Sequence, residues 1–407
     1  MPMTMPSFLP TFRHPFARLA VACALFAPAL APAQGADAAP AATGTVAMIS
    51  ELSNIPAPTL GAKAWMTLDA TSGQVIATQN PQEPVEPASL TKLMSAYVIF
   101  DALESGRLAL DQKVHVSEKA WRTEGSRMFI DPNTEVSVDE LLQGLIVQSG
   151  NDATVALAEA VAGSESAFAA MMNEQAAGMG LTHTHFTNST GLPDPDHMTT
   201  VEDLANLARE LVNRFPQYMH YYSQREFTYN KIKQSNRNRL LWADATVDGL
   251  KTGHTQSAGY CLVSTALRDG RRVVAVVVGA ASDAARTENS LKLLNWSFKN
   301  FDTVRLLAPG QAAVQARVWE GEADTVGLGV QGALWVTVPR GRADDIQSVA
   351  QYAQPLLAPL AKGDQMGSLR VSLGDVVLKT VPLQVEAAVP EAGFFGRLVD
   401  KVRLLFQ

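Results

Sequence analysis

A serine and a lysine three residues apart, Ser89 and Lys92, form a pair whose types and spacing could do chemistry. They precede an apolar run with helical spacing, and side chains three positions apart on a helix lie on one face. A serine hydroxyl is a poor nucleophile until a base takes its proton, which a neutral lysine can do. A serine at a helix start also lies near free N–H groups that suit an oxyanion. Alone, however, the pair is better explained by a helix-capping serine.

Two further triplets change this interpretation, Ser149-Gly150-Asn151 and Lys251-Thr252-Gly253. Each alone could be a turn before a helix or a loop entering a strand. Together with Ser89 and Lys92, in this order, they match the active-site set of penicillin-recognising serine enzymes. A second lysine near Lys92 would lower its pKa towards that of a usable base. Ser149 could relay a proton to a leaving amine, Asn151 could hold a substrate amide, and Gly253 could let a substrate backbone approach closely.

The chain resembles the low-molecular-mass penicillin-binding proteins that act as serine-type D-Ala-D-Ala carboxypeptidases. The likeness runs from about Ala64 to the C-terminus, and beyond the triplets it rests on four stretches: 236–242 (NRNRLLW), 247–255 (VDGLKTGHT), 339–342 (PRGR) and 393–396 (GFFG). The resemblance implies that the enzyme removes the terminal D-alanine from peptidoglycan stem pentapeptides. It implies these peptides as substrates, β-lactam antibiotics as covalent inhibitors, and no cofactor or metal.

The resemblance also implies roles for individual residues. The catalytic set would be a nucleophile, its base and three helpers: Ser89, Lys92, Ser149, Asn151 and Lys251. The substrate-binding set would be Lys251, Thr252, Gly253, His254 and Arg286. The backbone N–H groups of Ser89 and His254 would form the oxyanion hole, and Thr252 and Arg286 would hold the terminal carboxylate. From the residues alone, Arg286 could equally be a solvated arginine at a helix start.

Periodicity predicts how the chain positions these residues. Apolar runs in 64–78 bracket a hairpin turn, helical spacing dominates in 138–162 and 201–213, strands return at 260–266 and 272–278, and a helix follows at 287–299. Strands at both ends with helices between them predict one sheet covered by a helical cluster. This pattern predicts an α/β first domain, and the resemblance implies that it is of the penicillin-binding/β-lactamase type, at residues 60–305. Short β-like runs predict a small β-rich second domain at residues 306–389.

The N-terminal residues predict export. Residues 1–33 have a basic start, an apolar centre and a small-residue cleavage site, which is typical of a signal peptide, and residues 34–59 resemble a flexible leader. After cleavage Cys261 would be the only cysteine, so no internal disulfide is expected. The formal net charge of −7 argues against a nucleic-acid partner.

The last residues, 390–407, predict an amphipathic helix. Its apolar side chains share one arc of a helical wheel, with Arg397, Lys401 and Arg403 on the remainder. Such a helix suits a membrane surface with anionic lipid, which would place the enzyme in the periplasm, attached to the inner membrane. The alternative is a helix docked on the second domain through the same apolar stripe.

Other functions need other features. A β-lactamase would need a carboxylate that activates water; Glu202 and Asn206 have a suitable spacing but lie in an amphipathic helix, where a solvated face is the simpler explanation. A DD-endopeptidase would use the same residues on a cross-linked donor. A zinc site could gather His183, His185 and His197, although no helical His-x-x-x-His accompanies them. A non-enzymatic wall-binding module would have no use for an intact Ser89, Lys92 and Lys251.

Overall fold

A computed structural model describes residues 48–406. These residues divide into two compact units, which meet in the sequence between Thr303 and Val304. The predicted signal peptide and the first part of the predicted leader lie outside the described residues. The leader was expected to extend to residue 59, but Ile49–Leu52 already form a 3-10 helix in which Ile49 is fully buried.

The first unit combines one large sheet with a helical cluster, which confirms the predicted α/β class. Its strands are β1 (Ala64–Asp69), β2 (Val75–Gln79), β3 (Lys113–His115), β4 (Glu135–Ser137), β5 (Glu226–Tyr229), β6 (Ile232–Ser235), β7 (Val247–Thr255), β8 (Gly259–Arg268) and β9 (Arg271–Ala280). Its helices are α1 (Lys92–Glu104), α2 (Glu118–Arg122), α3 (Val138–Gln143), α4 (Asn151–Ala162), α5 (Glu165–Gly178), α6 (Val201–Arg214), α7 (Met219–Ser223), α8 (Leu240–Ala243) and α9 (Asp283–Asn300).

The large sheet has the strand order β2-β1-β9-β8-β7, so the first and last strands of the unit do pair. The pairing is antiparallel throughout, with Ala64 of β1 opposite Val278 of β9. Both faces are covered, because alternate residues of a strand point to opposite sides. On β8, Leu262 packs into the cluster that contains Leu293 of α9, and Val263 packs into the larger core formed with the other helices.

The continuous helical spacing predicted across residues 138–162 is interrupted in the structure. After α3, residues Gly144–Gln148 form a π-helical turn, and Ser149 then adopts a left-handed conformation with φ of 66° before α4 begins at Asn151. The interruption places Ser149 at a corner between two helices instead of inside one. Within the described residues, no single helix is both long and apolar enough to cross a membrane.

The second unit is β-rich, as predicted. The strand β10 (Phe301–Leu307) leads into it, and its other elements are β11 (Ala312–Trp319), β12 (Thr325–Gly329), β13 (Leu334–Pro339), β14 (Ile346–Tyr352), β15 (Leu356–Leu357), β16 (Gln365–Leu373), β17 (Val376–Val385) and helix α10 (Phe394–Leu404). Six strands form a sheet of order β14-β16-β17-β12-β11-β15. The turn at Gly374, with φ of 59°, joins β16 to β17.

Candidate active site

Ser89 lies in a short 3-10 helix, Ala88–Thr91, that continues directly into α1. Ala88 has a positive φ of 48°, so the turn enters the helix through a strained residue. Gly191 lies directly against this turn. A Cβ added at Gly191 would lie 1.7 Å from the Ala88 carbonyl oxygen, so only a glycine allows the close approach. Helical geometry then brings Lys92 Nζ to 3.2 Å from Ser89 Oγ. The structure therefore confirms that the two side chains meet.

Lys92 is fully buried, and three acceptors surround its amine. Besides Ser89 Oγ, Nζ lies 2.7 Å from Asn151 Oδ1 and 2.7 Å from the Thr190 carbonyl oxygen. An amide oxygen and a backbone carbonyl can only accept hydrogen bonds. A neutral amine would give its two N–H groups to these oxygens, and its lone pair would then face Ser89 Oγ. This is the arrangement that a general base for the serine needs.

The protonation of Lys92 is set mainly by its burial. The pKa of Lys92 is lowered to about 7, first by burial and second by the nearby positive charge of Arg237, while the charge of Asp152 opposes both effects. Lys251 is also buried, and burial, followed by the charges of Lys92, Arg237 and Arg286, holds its pKa well below the usual range. The sequence predicted that Lys251 would lower the pKa of Lys92; in the structure Arg237 has that role, and Lys92 acts on Lys251.

Asn151 and Asp152 order the loop opposite the nucleophile. Asn151 Nδ2 donates to the Glu124 carbonyl at 2.5 Å, so both ends of its amide are bonded within the protein. The fully buried Asp152 carboxylate accepts hydrogen bonds from the backbone N–H groups of Met128 and Phe129, each at 2.8 Å. Asn151 thus contacts Lys92 where the sequence predicted a substrate amide, and its predicted contact with substrate stays a prediction.

Ser149 lines the cleft in front of Ser89. Its side chain is buried, and its hydroxyl makes no hydrogen bond to any residue in the described part of the chain. Buried hydroxyls in proteins are normally hydrogen-bonded, so an unpaired one at a cleft is available to a substrate or solvent atom. This geometry suits the predicted proton relay.

Strand β7 forms another wall of the cleft and carries Lys251, Thr252, Gly253 and His254. The reason predicted for Gly253 needs correction. A Cβ at this position would lie 3.2 Å from both the Pro87 carbonyl oxygen and Leu90 Cγ, so the glycine lets the turn that carries Ser89 pack against the strand. The His254 ring lies 4.1 Å from the ring of Tyr260, centroid to centroid.

Arg286 reaches the cleft from the first turn of α9, and it is buried instead of being a solvated helix-start residue. Its Nη1 donates to the carbonyl oxygens of Gly253 and Cys261 at 3.0 and 3.3 Å. Its Nη2 donates to Asp283 Oδ1 at 2.5 Å. Arg286 is therefore held against the edge of the sheet at the place where the sequence predicts a carboxylate site.

Two more arginines, Arg237 and Arg239, come from the loop between β6 and α8. The buried residue Asn238 fixes this loop, because its Nδ2 donates to the Gly249 carbonyl and its Oδ1 accepts from the Leu240 N–H. Alternate side chains of the loop therefore point into the protein and into the cleft. Asn238 points into the protein, and Arg237 and Arg239 point into the cleft.

Together these elements enclose a polar cleft of about 700 Å³. Its lining residues are Ser89, Gly125, Ser126, Ser149, Asn236, Arg237, Arg239, Thr252, Gly253, His254, Tyr260, Asp283 and Arg286. Lys92, Asn151 and Lys251 lie behind this surface. The sequence alone predicts no role for Arg237, Arg239 or Asp283. The paired Asn-Arg repeat in 236–239 was a signal for the first two, since alternating polar residues can project one type to a common side.

His197 has a structural partner in the nucleophile turn. The backbone N–H of Thr187 donates to Nδ1 at 3.0 Å, so Nδ1 is unprotonated and Nε2–H donates to Thr91 Oγ1 at 2.8 Å. Burial lowers the pKa of His197 to about 4, which keeps the imidazole neutral. These contacts, on the turn between Ser89 and Lys92, account for His197 without a metal. Glu202 and Asn206 do not line the cleft, and Asn206 is exposed.

Comparisons with known proteins agree with this geometry. A family model described as D-alanyl-D-alanine carboxypeptidase matches residues 52–282, and one described as the C-terminal domain of penicillin-binding protein 5 matches residues 301–391. The chain is 42% identical over 360 residues to D-alanyl-D-alanine carboxypeptidase DacC of Escherichia coli strain K12, covering 86% of this chain and 90% of that protein.

Solved structures show the same likeness. Penicillin-binding protein 5 from Haemophilus influenzae superposes with a TM-score of 0.80 at 38% identity, over 83% of this chain and all of the other (100%). Penicillin-binding protein D2 from Listeria monocytogenes, in its ampicillin-bound form, superposes with a TM-score of 0.56 at 30% identity, over 60% of this chain and 100% of the other. The chain belongs to the D-alanyl-D-alanine carboxypeptidase family of serine peptidases.

Proposed function

We propose that this protein removes the terminal D-alanine from peptidoglycan stem peptides through an acyl-enzyme on Ser89. The observation that carries the proposal is the buried Lys92 amine. Two carbonyl oxygens, from Asn151 and Thr190, hold it at 2.7 Å each, and its remaining direction faces Ser89 Oγ at 3.2 Å. A buried lysine that faces a serine, and whose pKa of about 7 leaves much of its amine uncharged at physiological pH, can accept that serine's proton.

The chemical steps follow from these positions. Ser89 gives its proton to Lys92 as Oγ attacks the carbonyl carbon of the penultimate D-alanine. The C–N bond then breaks, and the departing D-alanine amine takes a proton from the Ser149 hydroxyl, which is replenished by the Lys92 ammonium. In the second half, Lys92 takes a proton from water as the water oxygen attacks the ester. The Ser89 oxygen leaves and recovers that proton.

The basic end of the cleft suits the free carboxylate of such a peptide. Arg286, Arg237 and Arg239 line it together with Thr252. A charge-assisted contact from arginine contributes roughly 1.5–3 kcal/mol. Amidation of the substrate's C-terminal carboxylate should therefore lower kcat/KM by about ten- to a hundredfold. An amide that is turned over as well as the acid would favour an endopeptidase.

A penicillin adduct tests the nucleophile. Intact-mass spectrometry should show a one-to-one covalent adduct with the wild-type protein and none with Ser89→Ala. Ser105→Ala, at the other end of α1 on an exposed residue, is the matched control and should still form the adduct. An adduct that survives Ser89→Ala would remove Ser89 from the mechanism. D-alanine release from a monomeric pentapeptide, compared with cleavage of a cross-linked dimer, separates the carboxypeptidase from the endopeptidase.

Our proposal places the enzyme in the periplasm, attached to the inner membrane through α10. The apolar side chains of this helix and of the turn that follows it face away from the rest of the second unit: Phe394, Phe395, Leu398, Val399, Val402, Leu405 and Phe406 are all exposed. Its opposite face contacts the unit, where Asp400 Oδ2 accepts from the Glu320 N–H at 2.8 Å. Exposed apolar arcs of this size are typical of interaction surfaces. The orientation supports a membrane surface as the partner, since a docked helix would bury this arc.

A further inference from the structure

Asp283 is the acidic side chain among the charged residues that line the cleft; the others are Arg237, Arg239 and Arg286. It lies at the first residue of α9, one helical turn before Arg286. Its carboxylate uses its two oxygens separately. Oδ1 accepts from Arg286 Nη2 at 2.5 Å, and Oδ2 lies 2.5 Å from Arg239 Nε. One carboxylate thus bridges two arginines that come from different parts of the chain.

The position of Asp283 at a helix start does not by itself explain these contacts. An acid in the first turn of a helix is stabilised by the helix dipole wherever it points. The N-cap of α9 is already provided by Ser282, whose Oγ accepts from the Ala285 N–H at 3.1 Å. Asp283 points instead into the cleft, where its side chain is 26% exposed. It occupies guanidinium groups that a peptide carboxylate would otherwise bind.

Arg286 has partners other than Asp283 that hold its side chain in place. Its Nη1 is held by two backbone carbonyl oxygens, from Gly253 and Cys261. The contact with Asp283 therefore reduces the positive charge that Arg286 presents more than it orients the side chain. Arg239 differs, because its side chain is 70% exposed and its charged contact in the cleft is with Asp283.

We propose that Asp283 is a specificity-determining residue that competes with the substrate's terminal carboxylate for Arg239 and Arg286. It acts as a built-in carboxylate that limits how tightly the cleft binds anionic peptides. Arg239 offsets this effect by sharing Asp283 and leaving Arg286 freer for the substrate. The inference rests on the proposed recognition of a peptide carboxylate, and it adds that the protein holds this affinity below the value that its arginines alone would give.

Kinetics with a peptide that ends in D-Ala-D-Ala, as the acid and as the C-terminal amide, test the proposal. Asp283→Asn keeps the shape and removes the charge. We expect its KM for the acid to fall about three- to tenfold with little change in kcat, and its KM for the amide to stay the same. Arg239→Gln should raise the KM for the acid by a similar factor. The double variant Asp283→Asn/Arg239→Gln has the formal charge of the wild type and should return close to its KM.

Glu288→Gln is the matched control. Glu288 lies on the same helix and pairs with Lys292 at 2.8 Å, but its side chain is 68% exposed and does not line the cleft. It should leave both KM values unchanged. Raising the salt concentration should reduce the difference between Asp283→Asn and the wild type, because screening weakens exposed charges.

The results separate this inference from the proposed function. A rise in KM for Asp283→Asn would show that Asp283 serves to orient Arg286, and an unchanged KM would show that it has no effect on the carboxylate; either result overturns the proposal. If the wild type releases no D-alanine, the proposed function fails, and that result needs no variant. Penicillin also carries a carboxylate, so its acylation rate constant then reports the effect of the Asp283 charge. This rate constant should still be three- to tenfold higher for Asp283→Asn than for Glu288→Gln. Thermal unfolding of each variant checks that it is folded, and Arg239→Gln tests the proposal independently if Asp283→Asn is not.

Discussion

The active form of Lys92 is the neutral amine, and its pKa of about 7 places the change of form near physiological pH. We expect the second-order rate constant for penicillin acylation to rise with pH through about 7 and then to level off. Lys92→Ala should lower that rate constant by about a hundred- to ten-thousandfold, as the loss of a positioned base does. A rate that is flat between pH 5.5 and 8.5 would contradict the role of Lys92 as the base.

Arg237 should set where this pH profile lies. Its positive charge lowers the pKa of Lys92, so Arg237→Gln should raise that pKa and move the rising limb to higher pH. Arg239→Gln, two residues further along the same loop, is the control, because Arg239 does not contribute to the pKa of Lys92. Equal movement in both variants would mean that the overall charge of the cleft, and not Arg237 in particular, controls Lys92.

His197 should make the stability of the protein depend on pH below neutrality. Its pKa is about 4 in the folded protein and near 6.5 in an unfolded chain. The unfolded chain therefore binds more protons between these values, and the free energy of unfolding falls as pH drops from about 6.5 to 4. The contribution is on the order of 3 kcal/mol. In His197→Asn, the melting temperature should depend less on pH across this range; an unchanged slope would contradict the assignment.

The residues found from the sequence are those whose types and order are informative as a set. Ser89, Lys92 and Lys251 stand at recognisable spacings, and the structure brings them together around one cleft. Asp283 and Arg239 could not be found in this way. They lie 44 positions apart in the sequence, and an ordinary charged residue at a helix start or in a loop has no feature that marks it. Only the fold shows that their charges meet.

At the scale of elements, the turn that carries Ser89 depends on a glycine in a different loop. Gly191 has φ of 85°, and a Cβ there would lie 1.7 Å from the Ala88 carbonyl oxygen. We expect Gly191→Ala to displace this turn, to destabilise the protein by several kcal/mol, and to abolish penicillin acylation.

Gly106→Ala separates the contact from the backbone strain. Gly106 has a similar φ of 72°, but an added Cβ would meet nothing within 4 Å. It should cost only about 1–2 kcal/mol and leave acylation intact. Melting temperatures and acylation rates of the two variants give the comparison. If Gly191→Ala acylates as fast as Gly106→Ala, the close approach does not position the nucleophile.

Periodicity predicted most of the elements well, because the strands and helices of this protein bury one or both faces in a regular way. It failed where the structure departs from regularity for a functional reason. Apolar spacing continues across residues 138–162, so periodicity alone does not indicate the break at Ser149, although the triplet Ser149-Gly150-Asn151 could be a turn before a helix. Next to this left-handed residue the chain contacts the loop at 124–130, where the Asn151 N–H donates to the Ser126 carbonyl at 2.6 Å.

At the scale of the whole molecule, α10 should control where the enzyme acts. The helix has 11 residues, about 16 Å, which is too short to span a bilayer. Truncation after Ala392 should leave the melting temperature and the activity on small peptides unchanged. It should abolish sedimentation with liposomes that contain anionic lipid. A truncated protein that melts at lower temperature, beside a full-length protein that ignores liposomes, would contradict the proposed membrane partner.

A variant that keeps the helix gives the matched control for this truncation. Phe395 and Leu405 are 80% and 81% exposed and face away from the unit. Their joint change to Asp should reduce liposome binding more than tenfold, since each buried side chain of this kind contributes roughly 1.5–3 kcal/mol. The contact between Asp400 and the Glu320 N–H lies on the opposite face and should remain.

The two buried lysines imply that this enzyme is less stable than its fold allows. Lys92 and Lys251 are hydrated ammonium ions in the unfolded chain, whereas folding buries both and lowers their pKa values. The unfolded chain thus binds more protons above a pH of about 7, so stability should rise as pH increases towards 10.5. Lys251→Met removes one of these groups and should lose activity. Its free energy of unfolding at neutral pH should nevertheless be larger by roughly 0.5–2 kcal/mol, so it should melt at a higher temperature. Its advantage should shrink in alkaline buffer. Lys251→Met would then keep the fold and be more stable but inactive. Selection for thermal stability alone, without an activity assay, would favour this variant over the wild-type enzyme.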